Sequence, residues 1–128
     1  MAPSSLLLHE SDSLLSLNEY QAAAASTAIY PESEDIQSII GLSYTALGLA
    51  GEAGEISNKV KKILRDNDGV ITGVARTQII SELGDVLWYV ALTARQLGFP
   101  LETVANWNVQ KLGDRAARGA LQGSGDAR

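Results

Sequence analysis

The sequence contains no cysteine and a single histidine, His9, among its 128 residues. Without cysteine the chain cannot form disulfides, thiolate metal sites or a cysteine nucleophile. One histidine alone excludes a multi-histidine zinc or di-iron centre and disfavours a Ser–His–Asp triad. Any chemistry must therefore come from carboxylates, lysine, arginine and tyrosine.

Long apolar runs and positive charge are also scarce. No apolar run approaches the roughly 18–20 residues of a transmembrane helix, and the run at Leu6–Leu8 is too short for a signal-peptide core. The net charge of −5 disfavours binding to a nucleic-acid backbone. We therefore expect one small, soluble, cytoplasmic domain that binds neither membranes nor nucleic acids.

The composition predicts an all-α fold. Alanine, leucine, glutamate, lysine and glutamine dominate, and no stretch alternates polar and apolar residues for long enough to form a sheet. Ser16 and Glu19 fit a capping box that begins a first helix, which would run to about Ile29. Turn-forming residues separate three further predicted helices, at about residues 35–65, 72–97 and 101–118.

These elements predict a four-helix bundle-like domain over residues 14–118, with flexible arms at 1–13 and 119–128. The second helix is long for so small a chain. It contains four glycines, Gly41, Gly48, Gly51 and Gly54. Glycine destabilises a helix, so its repetition indicates either close approach of a neighbouring helix or a ligand against the backbone. Both interpretations stay open at this point.

Two acidic pairs carry the chemical signal. Glu52 and Glu55 lie in one predicted helix, Glu82 and Asp85 lie in the next, and each pair is spaced i,i+3 on one helix face. The short turn at Asp66–Gly69 makes the two helices antiparallel neighbours, and the two pairs stand at similar distances from that turn. The four carboxylates are therefore expected to meet across the helix interface.

Gathering four carboxylates would be costly without a cation. Unit charges about 6 Å apart repel by about 3 kcal/mol at an effective dielectric of about 20, so four of them would cost on the order of 10 kcal/mol. That rivals the whole stability of a domain. Either the acids are apart, or a cation holds them. With oxygen ligands only, the expected ion is Mg²⁺, with Mn²⁺ as a substitute and Ca²⁺ possible.

Basic and amide groups accompany the acids. Lys59 and Lys62 follow Glu55 at helical spacing, and a second set recurs at i, i+3 and i+7 on the fourth helix. That second set consists of Asn108, Lys111 and Arg115. Taken alone, these groups are typical of a solvated face. Beside a metal site they indicate a polyanion such as phosphate, although no P-loop or GxGxxG motif is present.

The segments at 48–55 (GLAGEAGE), 59–62 (KVKK) and 82–89 (ELGDVLWY) together resemble the MazG-like all-α nucleoside triphosphate pyrophosphohydrolases. That family has an ExxE motif followed by a spacer and an ExxD motif, which Glu52, Glu55, Glu82 and Asp85 match. Asn108, Lys111 and Arg115 resemble its downstream NxxKLxxxR element, in which Gly113 and Asp114 depart from the more basic family pattern. The resemblance covers about residues 17–119.

The resemblance implies hydrolysis of a nucleoside triphosphate between its α and β phosphorus atoms, in the cleansing of nucleotide pools. It implies Mg²⁺ bound by Glu52, Glu55, Glu82 and Asp85, with Glu52 or Glu55 as the catalytic base. It also implies a homodimer or homotetramer, which a chain with so elongated a helix needs for burial. The expected substrate contacts are Lys59, Lys62, Tyr89, Asn108, Lys111 and Arg115.

Three alternatives remain from the sequence. Two lie within the same superfamily, a dimeric dUTP/dCTP hydrolase and a phosphoribosyl-ATP pyrophosphohydrolase. The third is a non-catalytic helical oligomer that binds a cation. The aromatic residues do not choose among them, because aromatics on apolar helix faces are more typical of a core than of a base-stacking site.

Overall fold

The computed structural model describes residues 14–119, which form four α-helices and no strand. The all-α prediction is therefore confirmed for this part of the chain. Apart from Gly119, the two predicted arms lie outside the described residues. The helices are α1 (Leu17–Ser26), α2 (Ile39–Asp66), α3 (Gly73–Gln96) and α4 (Leu101–Ala117).

Helix α1 begins as predicted and ends early. The Ser16 hydroxyl accepts a hydrogen bond from the Glu19 N–H at 3.0 Å, and the Glu19 carboxylate accepts one from the Ser16 N–H, which completes the capping box. The helix ends at Ser26 rather than near Ile29. Its last turn tightens into i→i+3 bonds, since the Thr27 N–H donates to the Ala24 carbonyl at 3.1 Å.

Helix α2 begins at Ile39, four residues later than predicted. The Asp35 carboxylate accepts from the Gln37 N–H at 2.9 Å and so closes a local turn instead of capping a helix. Ser38 is the N-cap, because its hydroxyl accepts from the N–H groups of Ile40 and Gly41. With 28 residues, α2 is nevertheless the long second helix that was expected.

Helices α2 and α3 form an antiparallel hairpin, and α1 and α4 pack against α3. The register of the hairpin follows from two close approaches. A Cβ added at Gly41 would lie 2.6 Å from the Gln96 amide nitrogen, and one added at Gly48 would lie 2.2 Å from the Tyr89 ring. No neighbouring atom lies within 4 Å of such a Cβ at Gly51. Close helix packing thus explains two of the four glycines in α2.

The core is small and lies where α1, α3 and the start of α4 meet. Its only large residue with no exposed surface is Leu92, among the described residues. The 27–38 segment is tied to α3 by polar groups, since the Tyr30 hydroxyl donates to the Gln96 amide oxygen at 2.7 Å. The Gln96 amide nitrogen in turn donates to the Asp35 carbonyl at 2.9 Å.

A large apolar surface stays exposed on the single chain. Ile80, Leu83 and Leu87 recur at i, i+3 and i+7 on α3, and all three are exposed, as is Leu47 on α2. We call Ile80, Leu83 and Leu87 the α3 stripe. Apolar residues at this helical spacing are typical of a buried face, and the isolated chain does not bury them. None of the described helices is long and apolar enough to cross a membrane.

Candidate functional site

Three of the predicted carboxylates gather at the middle of the hairpin. Glu52 of α2 and Glu82 and Asp85 of α3 each offer one oxygen, and these oxygens lie within 4.8 Å of one another. Glu52 and Glu82 are half-buried and Asp85 is exposed. We call these three residues the carboxylate cluster. Glu55, one turn further along α2, is exposed and lies outside this set.

The glycine contact in the hairpin positions the cluster. Gly48 lies one helical turn before Glu52, and Tyr89 lies one turn after Asp85. Because the Tyr89 ring packs directly on the backbone at Gly48, the two helices are close at the level where the acids face each other. A larger residue at Gly48 would therefore separate the acidic faces as well as the helices.

The charges in the cluster act strongly on Glu52. Burial raises the pKa of the Glu52 carboxyl above its usual value, and the negative charges of Asp85, Glu82 and Glu55 raise it further. A hydrogen bond with Glu82 acts in the same direction, because it stabilises the protonated form. The cluster thus favours uptake of a positive charge, either a proton or a metal ion.

Lys59 supplies one positive charge to the cluster from across the hairpin. Its ammonium nitrogen lies 3.3 Å from the Glu82 Oε1 atom, and the two side chains are 30% and 19% exposed. Helical spacing had placed Lys59 near Glu55 on its own helix, but it gave no indication of this pairing with α3. The partner is set by the rotation of α2 against α3, which sequence periodicity does not specify.

A pocket of about 510 Å³ lies between the cluster and the turn that joins α2 to α3. Both predicted phosphate-binding lysines of α2 line it, together with polar groups from the turn and the start of α3. We call it the turn pocket. Its polar lining residues are Lys59, Lys62, Asp66, Asn67, Thr72 and Gln78.

Tyrosines lie on the opposite side of the cluster from the turn pocket. Burial raises the pKa of Tyr89, and Tyr44 and the charges of Glu52 and Asp85 raise it further. Burial also raises the pKa of Tyr20, with the Asp85 charge adding to it. Both hydroxyls therefore lie within electrostatic range of the carboxylates.

Aromatics on apolar helix faces are more typical of a core, yet Tyr44 is exposed beside Tyr89. Their ring centroids are 6.4 Å apart, and Tyr44 also stacks on Tyr30 at 5.0 Å. Residues 44, 48 and 52 recur every fourth position on α2, so this neighbourhood was available from the helical spacing. Trp88 instead links α3 to the residue after α1, since its indole N–H donates to the Thr27 hydroxyl at 2.9 Å.

The predicted substrate contacts of α4 stand apart from the α2 face of the hairpin. Asn108 and Lys111 are exposed, and Arg115 is half-buried. Among the described helices, α4 packs against α1 and α3 and makes no contact with α2. Within one chain, the structure brings together the carboxylate cluster, Lys59, Lys62 and Tyr89, whereas α4 lies on another side of α3.

Comparison with known proteins identifies the family of this chain. The sequence profile of the MazG nucleotide pyrophosphohydrolase domain matches residues 41–119, which include the cluster and α4. The chain belongs to the MazG nucleotide pyrophosphohydrolase family. The resemblance noted in the sequence is thereby confirmed.

This MazG chain is also similar to the Gene 37 protein of Mycobacterium phage L5. The two are 61% identical over 109 residues, which cover 85% of this chain and 96% of the phage protein. The name of the phage protein states no activity. No solved structure matches the chain at a significant level.

The raised pKa of Glu52 predicts how the stability of this MazG chain depends on pH when metal has been removed. In the unfolded chain the Glu52 carboxyl titrates near the ordinary value of 4.5, and in the folded chain it titrates higher. The protonated Glu52 carboxyl therefore contributes fully to the stability of the folded chain below pH 4.5, and this contribution is lost as pH rises through the raised pKa. In EDTA, the melting temperature of the wild type should fall with rising pH relative to Glu52→Gln.

Thermal unfolding of both proteins, followed by circular dichroism between pH 4 and pH 8, measures this difference. Parallel pH profiles of the two proteins in EDTA would contradict the assigned electrostatics.

Proposed function

We propose that this chain hydrolyses nucleoside triphosphates to nucleoside monophosphates and pyrophosphate with Mg²⁺ at the carboxylate cluster, and that it acts in the cleansing of nucleotide pools. The observation that carries the proposal is the meeting of acids from two helices beside a lysine-lined pocket, in a member of the MazG family. Acids and lysines on one side of a hairpin suit a substrate that arrives with a metal ion and carries several negative charges.

The residues of the cluster fit a hard divalent ion. Carboxylate oxygens are the ligands that Mg²⁺ and Mn²⁺ prefer, and the oxygens around one such ion are about 3–4 Å apart. The oxygens of Glu52, Glu82 and Asp85 lie within 4.8 Å of one another, so small rotamer adjustments suffice. The ion would also offset the repulsion that raises the pKa of Glu52.

When bound, Mg²⁺ would neutralise phosphate oxygens and lower the pKa of the attacking water. The protein groups supply the rest. Lys59 and Lys62 would hold the β and γ phosphates at the turn pocket, which makes pyrophosphate the leaving group. Glu52 and Glu55 are both candidates to accept the proton of the water. We favour Glu55 as the base, because it lies near Glu52 but outside the carboxylate cluster.

An oligomer completes this proposal. The α3 stripe leaves three large apolar side chains in water on the single chain, and such patches mark interaction surfaces. We therefore place a second copy over the stripe, as a homodimer or homotetramer. Asn108, Lys111 and Arg115 remain proposed phosphate contacts, which α4 would supply beside α3 or to a neighbouring copy.

The position of bond cleavage tests the proposed reaction. In ¹⁸O-labelled water with Mg²⁺, attack at the α phosphorus puts the label in the nucleoside monophosphate and leaves pyrophosphate unlabelled. Mass spectrometry of both products measures this directly, and a panel of ribo- and deoxynucleoside triphosphates with phosphoribosyl-ATP identifies the preferred substrate. Label in pyrophosphate, or release of orthophosphate, would overturn the assignment of Lys59 and Lys62 to the leaving group.

Two isosteric variants separate metal binding from proton transfer. Glu82→Gln removes a cluster ligand, so we expect at least about tenfold weaker Mn²⁺ binding and loss of turnover. Glu55→Gln should keep Mn²⁺ affinity within about twofold and lose about 10²–10⁴ in kcat. Calorimetric titration and steady-state kinetics on the same preparations provide both quantities. Equal loss of Mn²⁺ affinity in the two variants would instead make Glu55 a metal ligand.

The oligomer has its own test. Light scattering at micromolar concentration should give a mass that is a multiple of the 13.6 kDa chain. Leu83→Glu, in the middle of the α3 stripe, should reduce the mass to that of one chain, because a charge there opposes apolar burial. Leu97→Glu is the matched control, since Leu97 is a similarly exposed leucine at the C-cap of the same helix. A wild-type mass of 13.6 kDa would rule the oligomer out.

A further inference from the structure

The contact between Lys59 and Glu82 joins the two halves of the candidate site. Lys59 belongs to α2 and lines the turn pocket, yet its ammonium lies 3.3 Å from an oxygen of the carboxylate cluster on α3. The Lys59 ammonium can pair with the carboxylate cluster or with a ligand in the turn pocket, but not fully with both. The pair is partly buried, so water screens it less than it would screen an exposed surface pair.

Building on the proposed function, we propose that Lys59 is a displaceable counter-cation that opens the turn pocket as a phosphate subsite. While no divalent ion is bound, Lys59 neutralises Glu82. Once the ion binds, the Lys59 ammonium leaves Glu82 for the turn pocket, where it joins Lys62 in binding a pyrophosphate or the distal phosphates of a nucleotide.

Charge is the first reason for the exchange. An ammonium against Glu82 already offsets part of the negative charge of the cluster, and it contacts a carboxylate that a divalent ion would use. A monovalent and a divalent cation at the same carboxylate repel each other strongly in a half-buried site. The ion with the higher charge therefore keeps the cluster, and the ammonium has to move.

The turn pocket is the destination that the geometry offers. Lys59 and Lys62 are spaced i,i+3 on α2 and both line it, and the four-carbon stem of lysine lets an ammonium shift by several ångströms without backbone movement. The acidic residue in the lining, Asp66, is already paired with Arg65 at 2.7 Å. Two ammonium groups in a pocket of about 510 Å³, with the charge of Asp66 offset, suit a doubly or triply charged phosphate chain.

Such an exchange sets an order of binding. A phosphate chain that reaches the pocket before the divalent ion meets Lys62 alone of the two lysines, since Lys59 is held by Glu82. After the ion binds, both lysines face the pocket. The protein thereby couples metal binding at the cluster to phosphate affinity at the turn pocket.

The first experiment is titration of the full chain with Mn²⁺ alone, followed by calorimetry, without nucleotide. Lys59→Met removes the competing ammonium, and Lys61→Met is the matched control, because Lys61 is an exposed lysine of the same helix that does not line the pocket. We expect Lys59→Met to bind Mn²⁺ about three- to tenfold more tightly than Lys61→Met. Lys59→Arg should bind it no more tightly than the wild type, since a guanidinium holds a carboxylate at least as firmly.

Stability and lysine NMR signals give readouts that do not depend on activity. In EDTA, Lys59→Met should melt at a lower temperature than Lys61→Met, and saturating Mg²⁺ should remove this difference. In protein with labelled lysine side chains, Mg²⁺ should shift the Lys59 signal, and magnesium pyrophosphate should then shift the signals of Lys59 and Lys62. Pyrophosphate without a divalent ion should leave Lys59 unchanged.

Failure of this inference can be told from failure of the proposed function. Equal Mn²⁺ affinities for Lys59→Met and Lys61→Met, or a Lys59 signal that ignores Mg²⁺, would overturn the exchange while leaving the metal site in place. A wild type that binds no Mn²⁺ would overturn both.

Discussion

Repulsion among the carboxylates of Glu52, Glu82 and Asp85 is the constraint to which the rest of the hairpin responds. Because the three oxygens lie within 4.8 Å of one another, each ionised pair costs more than about 3 kcal/mol at an effective dielectric of about 20. Helix packing at the Gly48–Tyr89 contact holds the acids together against this cost. Burial and the same repulsion together raise the pKa of Glu52, and the negative charge of the cluster attracts Lys59 to Glu82. One local conflict thus prepares the site for a cation.

Periodicity and turn position predicted the hairpin and the meeting of its acids. The i,i+3 pairs specify faces, and the short turn specifies antiparallel register, so Glu52, Glu82 and Asp85 could be placed together from sequence alone. The separate position of Glu55 and the reach of Lys59 to α3 could not. Both depend on helix rotation and on rotamers, and a spacing rule that averages about 100° per residue does not resolve either of them.

The 27–38 segment shows where local rules competed. The sequence pattern predicted a helix start at about residue 35, but the Asp35 carboxylate closes a local turn and Ser38 caps α2 instead. By local rules alone, either Asp35 or Ser38 could cap the start of α2. Long-range contacts decided between them, because Tyr30 and the Asp35 carbonyl bind the buried Gln96 of α3. A contact across more than sixty residues is not visible to a local pattern.

Different chemical groups lie at the two ends of the α2–α3 hairpin and on the two faces of α3. Tyr44 and Tyr89 lie on one side of the cluster and the turn pocket lies on the other, so the proposed nucleotide would have its phosphates toward Lys62 and its nucleoside toward the tyrosines. Around α3, the stripe residue Leu83 is two positions before Asp85, which places the two on nearly opposite faces. The proposed second copy over the stripe would cover the back of α3 and leave the cluster open to substrate. The proposed assembly and the proposed catalysis would therefore use different faces of one helix.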